Sequence, residues 1–562
     1  MVIPKGGLSV VIGDQTCELS QKTVYELLLD TKDRFPERIA VVFSQQNIRL
    51  TYTEFLREVE AMAAGLLAIG VKKGDRLGIW SPNRVEWLIT QFSSALIGAI
   101  LVNINPAYRL SELEYALNKV GCSTLVVARS FKTSKYIEML CELAPEIRVS
   151  TNKLPLTCKR LPSLRRLIEI DTGCKKTEHV SGITEFSDLM KLGKQHLTNK
   201  LGGHLGIRAI ARQNRCEEPI NIQFTSGTTG NPKSATLTHK NIVNNALFMT
   251  RTLKMSEVDA MCIPVPLYHC FGMVMSVLVC VMVGAKLVFP GEAFDPKQTL
   301  AAVEKERCTA LQGVPTMFIA ELEHCEKYDL RSLRTGIMAG SPCPVETMKS
   351  RHRQSHSKRK STDSLEKRTT TVGRCQPHLE VKLVGEDGKI VKVGEIGEIW
   401  VRGYSVMLGY WGEPAGRNGL HDGWMATGDL GTFDEEGYCS VIGRLKDMVI
   451  RGGENVYPRE IEEFLFKHPK IQTVQVFGVP DEKYGEELCA WIILKHDEQS
   501  TEDEIKQFCK GQISHFKIPK YIKFVKDMPL TVTGKVQKFV MREMMNNELL
   551  AMKPVVIPKA KL

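Results

Sequence analysis

The amino-acid sequence predicts an α/β protein of two unequal domains, and three observations carry that reading. Its 562 residues are more than one hydrophobic core serves. Helix-period segments alternate with short apolar strands along most of the chain, the pattern of layered sheets with parallel strands. Near Gly443 that alternation stops and restarts as a smaller α/β unit, so the expected domains are 1–442 and 443–562. The composition, 43% apolar and 25% charged, is that of an ordinary folded chain.

Each element follows from local pattern. TYTEFLREVEAMAAGLLAIG (51–70) spaces apolar residues at helical period between a Thr cap and a closing Gly. DRLGIW (75–80) and TLVVA (124–128) are short buried strands. Residues 145–215 are uneven, rich in Lys, Leu and Pro, and are expected to include a long surface connection. PINIQF (219–224) is a strand that runs into TSGTTGNPK (225–233). CFGMVMSVLVCVMVGA (270–285) is the most apolar run. It is shorter than a membrane span needs and has Gly near both ends, so a buried helix is expected and no transmembrane segment. AKLVF (285–289) and GIMAG (336–340) continue the α/β pattern. HLEVKLV (378–384), GEIWVRG (397–403) and YCSVIG (438–443) read as short β elements with Gly turns. The last unit has helices PREIEEFLFKH (458–468) and TEDEIKQFCKG (501–511), with strands VQVFGV (474–479), CAWIIL (489–494) and YIKFV (521–525).

The net charge of +11 is concentrated in one place. From Lys349 to Thr370 eight Lys/Arg stand against two Asp/Glu, a surplus of six, which leaves about five for the rest of the chain. The whole run, KSRHRQSHSKRKSTDSLEKRTTT (Lys349–Thr371), has one Leu and no Val, Ile, Phe, Met, Tyr or Trp. It reads as an atypical basic, coreless insert between folded flanks. It shows no aromatic interleaving and fits no nucleic-acid module, so no nucleic-acid partner is expected. Sixteen Cys are scattered without a C-x-x-C pair, which argues against a zinc ribbon or disulfide framework and for reduced, mostly buried thiols in an intracellular protein. The opening residues lack the basic start, apolar stretch and cleavage site of a signal peptide and are not Arg-rich like a transit peptide. The last three residues, Ala560, Lys561 and Leu562, are close to the S-K-L address read by the peroxisomal import receptor, so the peroxisomal matrix is the first expected location.

The strongest chemical signal is Thr225, Ser226, Gly227, Thr228, Thr229, Gly230, Asn231, Pro232 and Lys233, directly after a strand. Two glycines free the backbone to curl, four hydroxyls and several N–H groups can surround phosphate oxygens, and Lys233 can add a point charge. It is not a Walker A loop, because Lys233 follows Pro232 rather than Gly. Tyr268, His269 and Phe271, in PLYHCFG at the start of the apolar helix, could line a pocket beside this loop, although His269 taken alone reads more often as a core histidine. Asp429, in ATGDL, is expected in a turn where its carboxylate could accept from a ribose diol, or simply make an Asx turn. Arg444 and Lys446 stand at the domain boundary, Gly452-Gly453 can absorb a chain reversal, and Glu460, Glu462 and Glu463 start a helix where the macrodipole favours acids. Lys535 sits on a Thr/Gly turn after Pro529, and a lysine delivered into a phosphate site by a second domain could stabilise developing charge.

Taken in order, FTSGTTGNPK, NPAY, VPLYHCFG, VMLGYWGEP, IRGGENVYP and SHFKIPKY resemble the acyl-adenylate-forming (AMP-binding) superfamily. They look most like its branch of medium-chain fatty acyl-CoA ligases called acyl-CoA synthetase family member 2. The resemblance runs from about Lys22 to Glu548. It implies a large adenylate-forming domain of layered α/β subdomains plus a small β-barrel, and a small mobile α/β domain carrying the catalytic lysine. It implies a fatty acid, ATP with Mg²⁺, and CoA as the reacting partners. Thr225 to Lys233 would hold the β- and γ-phosphates, Gly340, Ser341 and Pro342 would pack on adenine, and Asp429 would bind the ribose with Arg444 close by. Lys535 would bridge carboxylate and α-phosphate, His269 would belong to the acyl-pocket gate, and Lys446 would be the hinge. The relatives are mitochondrial, which sets the mitochondrial matrix, or the cytoplasm, beside the peroxisome.

Two positions depart from the family pattern. The family carries an aromatic, Gly, Thr and Glu (Y-G-x-T-E) between the Gly-Ser-Pro loop and the VGR segment; the aromatic stacks on adenine, the Thr touches the α-phosphate and the Glu helps to hold Mg²⁺. Here Ser341 to Val372 contains no such motif and is short by roughly one strand and one helix, with the basic run in its place. Metal ligands are therefore unassigned, and a second reading arises: a catalytically impaired or truncated form that binds ligand or partner without adenylating. The other departure is Ser234, where the family has Gly; it would be strained if that position needed φ > 0.

Overall fold

Capping chemistry starts the first helices. Thr23 and Thr51 cap Val24–Arg34 and Tyr52–Ala68, and Glu26 and Glu54 accept from the cap residues' own N–H groups. The second is the helix that the 51–70 pattern predicts. It buries one face against Phe186–Asn199 so closely that a Cβ at Gly193 would collide with the Ala61 carbonyl. The computed structural model describes residues 4, 6–149, 155–171, 180–225, 232–340, 348, 363–414, 419–531 and 533–552.

Two large sheets, sandwiched by helices, form the first domain's core. The eight-stranded sheet runs Gly409–Tyr410, Lys233–Thr238, Pro219–Thr225, Ile100–Asn103, Arg76–Trp80, Thr124–Ala128, Arg166–Ile170, Thr184–Glu185. Its last six strands are parallel; the first two add on antiparallel. The six-stranded sheet runs Thr335–Met338, Ala310–Gly313, Ala260–Cys262, Lys286–Phe289, Ile39–Phe43, Ile48–Thr51, parallel but for the final pair. Parallel strands covered on both faces read as near-continuous apolar runs, which is why TLVVA and KLVF were legible. The apolar run after His269 is one helical rod, Cys270–Gly272, a π-helical turn Met273–Leu278, then Val279–Val283. No helix among the described residues is long and apolar enough to cross a membrane.

The small β unit takes the form of a five-stranded antiparallel sheet, Val10–Ile12, Leu379–Val384, Gly397–Gly403, Met425–Phe433, Cys439–Arg444. A short helical turn, Leu445–Asp447, leads from it to Val449–Arg451, the first strand of the last sheet. That sheet holds the hairpin Val449–Arg451/Glu454–Val456, turned at Gly452-Gly453, and the pair Ile471–Asp481/Gly485–Leu494, with Tyr521–Phe524 alongside. Helices Pro458–Leu465, Glu502–Cys509 and Lys538–Met552 accompany it.

Two expectations change. Residues 145–215 are more than a surface connection: Arg166–Ile170 and Thr184–Glu185 extend the large sheet, and Phe186–Asn199 and His204–Ala211 are helices. Leu156, Leu161, Leu164 and Leu167 are buried there, spaced by loops rather than by a helical or strand period. The basic run is not coreless to its end. Lys349 to Thr362 lie outside the described residues, but Leu365–Thr370 is a helix capped by Ser364 that buries Thr369. Tyr438 donates to Asp363 at 2.8 Å, and Lys367 pairs with Asp434 and Glu436, so the run's acids and bases tie it to the five-stranded sheet. The described cysteines form no disulfide and most are buried.

Candidate active site

Parallel strands deliver loops at their carboxyl ends, and four such ends converge here. In the six-stranded sheet, Ala260–Cys262 leads to Tyr268-His269-Cys270, Ala310–Gly313 to Val314-Pro315-Thr316, and Thr335–Met338 to Gly340. In the eight-stranded sheet Pro219–Thr225 ends opposite the start of Lys233–Thr238, with Thr225 and Lys233 paired across the mouth of the hairpin. The Thr225 hydroxyl donates to the Lys233 carbonyl at 3.5 Å, and the Lys233 ammonium lies 5.1 Å from the ring centroid of Tyr410. Pro232 leads into this strand. Ser226, Gly227, Thr228, Thr229, Gly230 and Asn231 lie outside the described residues, as do Ser341, Pro342, Ala560, Lys561 and Leu562. Ser234 pairs with Phe224 in ordinary extended backbone, so the feared strain does not arise. Its hydroxyl is buried and has no hydrogen-bond partner among the described residues.

Asp429 lies in strand Met425–Phe433 rather than in a turn. Gly428, at φ +74°, makes an irregular step in the pairing between Gly397–Gly403 and Met425–Phe433. Arg444 pairs with Asp429 across the next two strands, and its Nε donates to the carboxylate at 3.0 Å. Lys446 is exposed in the linking turn and is not brought into the site.

Lys535 comes from the other domain. Its turn is clamped by two bonds with Thr531: the Lys535 N–H donates to the Thr531 hydroxyl at 3.0 Å and the Thr531 N–H donates to the Lys535 carbonyl at 2.7 Å. The lysine Cε lies 3.3 Å from where a Cβ on Gly340 would stand, so the glycine makes room for it. Burial foremost, then the Arg444 charge, lower the Lys535 pKa from its usual value, while Asp429 and Cys270 act the other way. Burial, then the Lys535 charge, push His269 down to about 4, so the imidazole is neutral near pH 7. Its Nδ1 accepts from the Phe271 N–H at 3.1 Å, which leaves the proton on Nε2. Burial pushes the neighbouring Cys270 thiol up to about 12, which keeps it protonated. The structure thus gathers Lys535, Arg444, Asp429, His269 and Gly340 around one cleft. Two cations and a neutral imidazole suit a pair of anions brought together. Sequence reasoning missed Tyr410, although it lies within VMLGYWGEP, and Thr316, whose partner is 218 residues away and leaves no local signal.

Known proteins resemble this chain over most of its length. The AMP-binding enzyme family model matches residues 28–411, and the AMP-binding enzyme C-terminal domain model matches 460–535. The mitochondrial medium-chain acyl-CoA ligase ACSF2 of Mus musculus is 43% identical over 575 aligned positions, covering 97% of this chain and 91% of that one. The same enzyme of Danio rerio is 44% identical over 571, covering 97% and 92%. Since 97% of 562 residues is about 545, about 30 of the positions aligned with the mouse protein have no residue here. Among solved structures, the anthranilate CoA ligase AuaEII in complex with anthranoyl-AMP superposes with a TM-score of 0.80 at 25% identity, over 95% of this chain and 99% of that one. ATP-bound MatB from Rhodopseudomonas palustris superposes at 0.77 and 25%, over 93% and 99%.

Proposed function

The chain belongs to the AMP-binding enzyme family over both of its domains, and from that premise we propose that it activates a medium-chain fatty acid in two half-reactions. It is an acid–thiol ligase, as its acyl-CoA ligase relatives are; the intermediate and the chain length are our reading. In the first half-reaction a fatty carboxylate oxygen attacks the α-phosphorus of ATP, pyrophosphate leaves, and acyl-AMP forms. In the second the CoA thiolate attacks the acyl carbonyl and AMP leaves.

In this reading the Lys535 ammonium lies between carboxylate and α-phosphate and offsets their mutual repulsion. Asp429, steadied by Arg444, accepts from the ribose hydroxyls, and Thr225 to Lys233 surround the terminal phosphates. Gly340, Ser341 and Pro342 pack on adenine, His269 gates the acyl pocket, and Lys446 is the pivot. Mg²⁺ would arrive on the phosphates of ATP: among the described residues no three His, Cys, Asp or Glu side chains converge to hold one. The observation that carries the reading is Lys535 itself, held by a turn of one domain and buried against Gly340 of the other.

The test is fatty-acid-dependent ATP–pyrophosphate exchange by the purified chain with octanoate and Mg²⁺. Exchange that falls about 10²–10³-fold in Lys535→Ala supports the proposal. The lost Y-G-x-T-E segment and the roughly 30 unmatched positions favour a second reading, an impaired or shortened form that binds without adenylating. A folded chain without exchange would establish that second reading. For location, the mitochondrial relatives favour the mitochondrial matrix, whereas the peroxisomal reading rests on Ala560-Lys561-Leu562 alone. Fluorescence imaging of the tagged chain with and without those three residues separates the two.

A further inference from the structure

One contact between the domains has no part in the chemistry just described. The hydroxyl of Thr316, in the first turn of helix Pro315–Leu322, donates to the backbone carbonyl of Gly534 at 3.1 Å. Gly534 immediately precedes Lys535 and turns the chain at φ +76°, where a side chain would be strained and its Cβ would stand 3.0 Å from both the Thr316 hydroxyl and Val314 Cγ2. The Lys535 turn therefore cannot shift by a fraction of a residue and keep this bond. Within the turn, the Thr531 and Thr533 hydroxyls lie 2.7 Å apart and Thr531 clamps both backbone groups of Lys535. The Gly534 carbonyl and the Lys535 N–H belong to one planar peptide unit, so holding the first fixes where the lysine begins. The other end of the same helix also meets the small domain: Gln472 Nε2 donates to Glu323 at 2.8 Å. That pair is exposed and worth little, whereas the Thr316 bond is half-buried beside the cleft.

We propose that Thr316 is a positioning residue, a latch whose hydroxyl holds the Gly534 carbonyl and thereby keeps Lys535 in the cleft for the first half-reaction. The idea rests on the proposed function, since the lysine must leave for CoA to reach the acyl-adenylate. A latch of one neutral hydrogen bond, about fivefold in the docking equilibrium, is strong enough to bias the lysine inward and weak enough to release it. Its loss slows adenylation and spares thioester formation.

The experiment uses the full chain and the variants Thr316→Val, which keeps the shape, and Thr316→Ser, which keeps the hydroxyl. Two readouts are taken. In the ligand-free chain, the rate at which an amine-reactive reagent labels Lys535, followed by mass spectrometry, is expected to rise about fivefold in Thr316→Val and to return in Thr316→Ser. Unchanged labelling overturns the latch. In the enzyme assay, octanoate-dependent exchange is expected to fall in Thr316→Val, by at most about fivefold, while octanoyl-AMP supplied with CoA is converted at the unaltered rate. An equal fall in both half-reactions overturns the proposal, because a merely structural role damages both. A wild-type chain that performs neither half-reaction refutes the functional reading instead, and the latch then stands or falls on the labelling alone.

Discussion

The eight-stranded sheet reaches the cleft through Pro219–Thr225, a strand paired to Ile100–Asn103 on one flank and Lys233–Thr238 on the other. The six-stranded sheet reaches it through three strands, and the outermost, Thr335–Met338, among the described residues has a neighbour on one flank only and is half-buried throughout. Both deliver a loop to the same cleft, yet one is braced and the other is an edge. The edge strand leads, past Gly340, into the interval that lacks Y-G-x-T-E. The braced strand leads into the Ser/Thr/Gly run 225–233 that the sequence marks for phosphate, and the edge strand leads into the interval without the motif. A family resemblance across the whole chain can hide a local difference at the place where chemistry is decided.

The largest test of that contrast replaces 349–362 with the corresponding segment of the mouse ligase. If the edge side limits catalysis, regaining an α-phosphate contact and a metal carboxylate should raise octanoate-dependent exchange by about 10²-fold or more. An unchanged rate would mean that the edge is already sufficient. A smaller effect compares the strands directly. Ile222, fully buried in the braced strand, should cost about 3 kcal/mol as Ile222→Ala, and Ile337 in the edge strand about 1 kcal/mol as Ile337→Ala. Melting temperatures that drop equally would erase the distinction.

A last test concerns acid. His239, on the helix that follows Lys233–Thr238, is buried, its Nδ1 accepts from the Val24 N–H at 3.1 Å, and burial pushes its pKa down to about 3. The unfolded chain binds the proton near the ordinary value of about 6.5, so this stability is whole above that pH and is lost as pH falls toward 3, about 2 kcal/mol by pH 5. The fall in melting temperature between pH 7 and pH 5 should shrink in His239→Asn, whose side-chain oxygen can accept from Val24. An undiminished fall would place the acid sensitivity elsewhere.

How much was legible follows from the range of each signal. The strand before the phosphate loop, the apolar helix after His269 and the layered sheets have local periods, and their elements stand where the patterns put them. Asp429 was found but misplaced, because Gly428 signals a turn and an irregular strand step with the same residue. The 145–215 region was underread because its leucines anchor loops as well as elements. Tyr410 and Thr316 answer to partners far along the chain, Lys233 and Gly534; the motif around Tyr410 marks the family but not that partner, and nothing beside Thr316 announces its own.

Burial of Lys535 has one more consequence. A cation carried into a dry cleft gives up water, and its lowered proton affinity is the measure of that loss. In the empty cleft Asp429 offsets only part of that loss. A carboxylate and a triphosphate in the cleft reverse the sign, because the same dryness that penalised the lone charge strengthens its attraction to theirs. Docked in the cleft, the lysine therefore gains most when both anions are there to meet it.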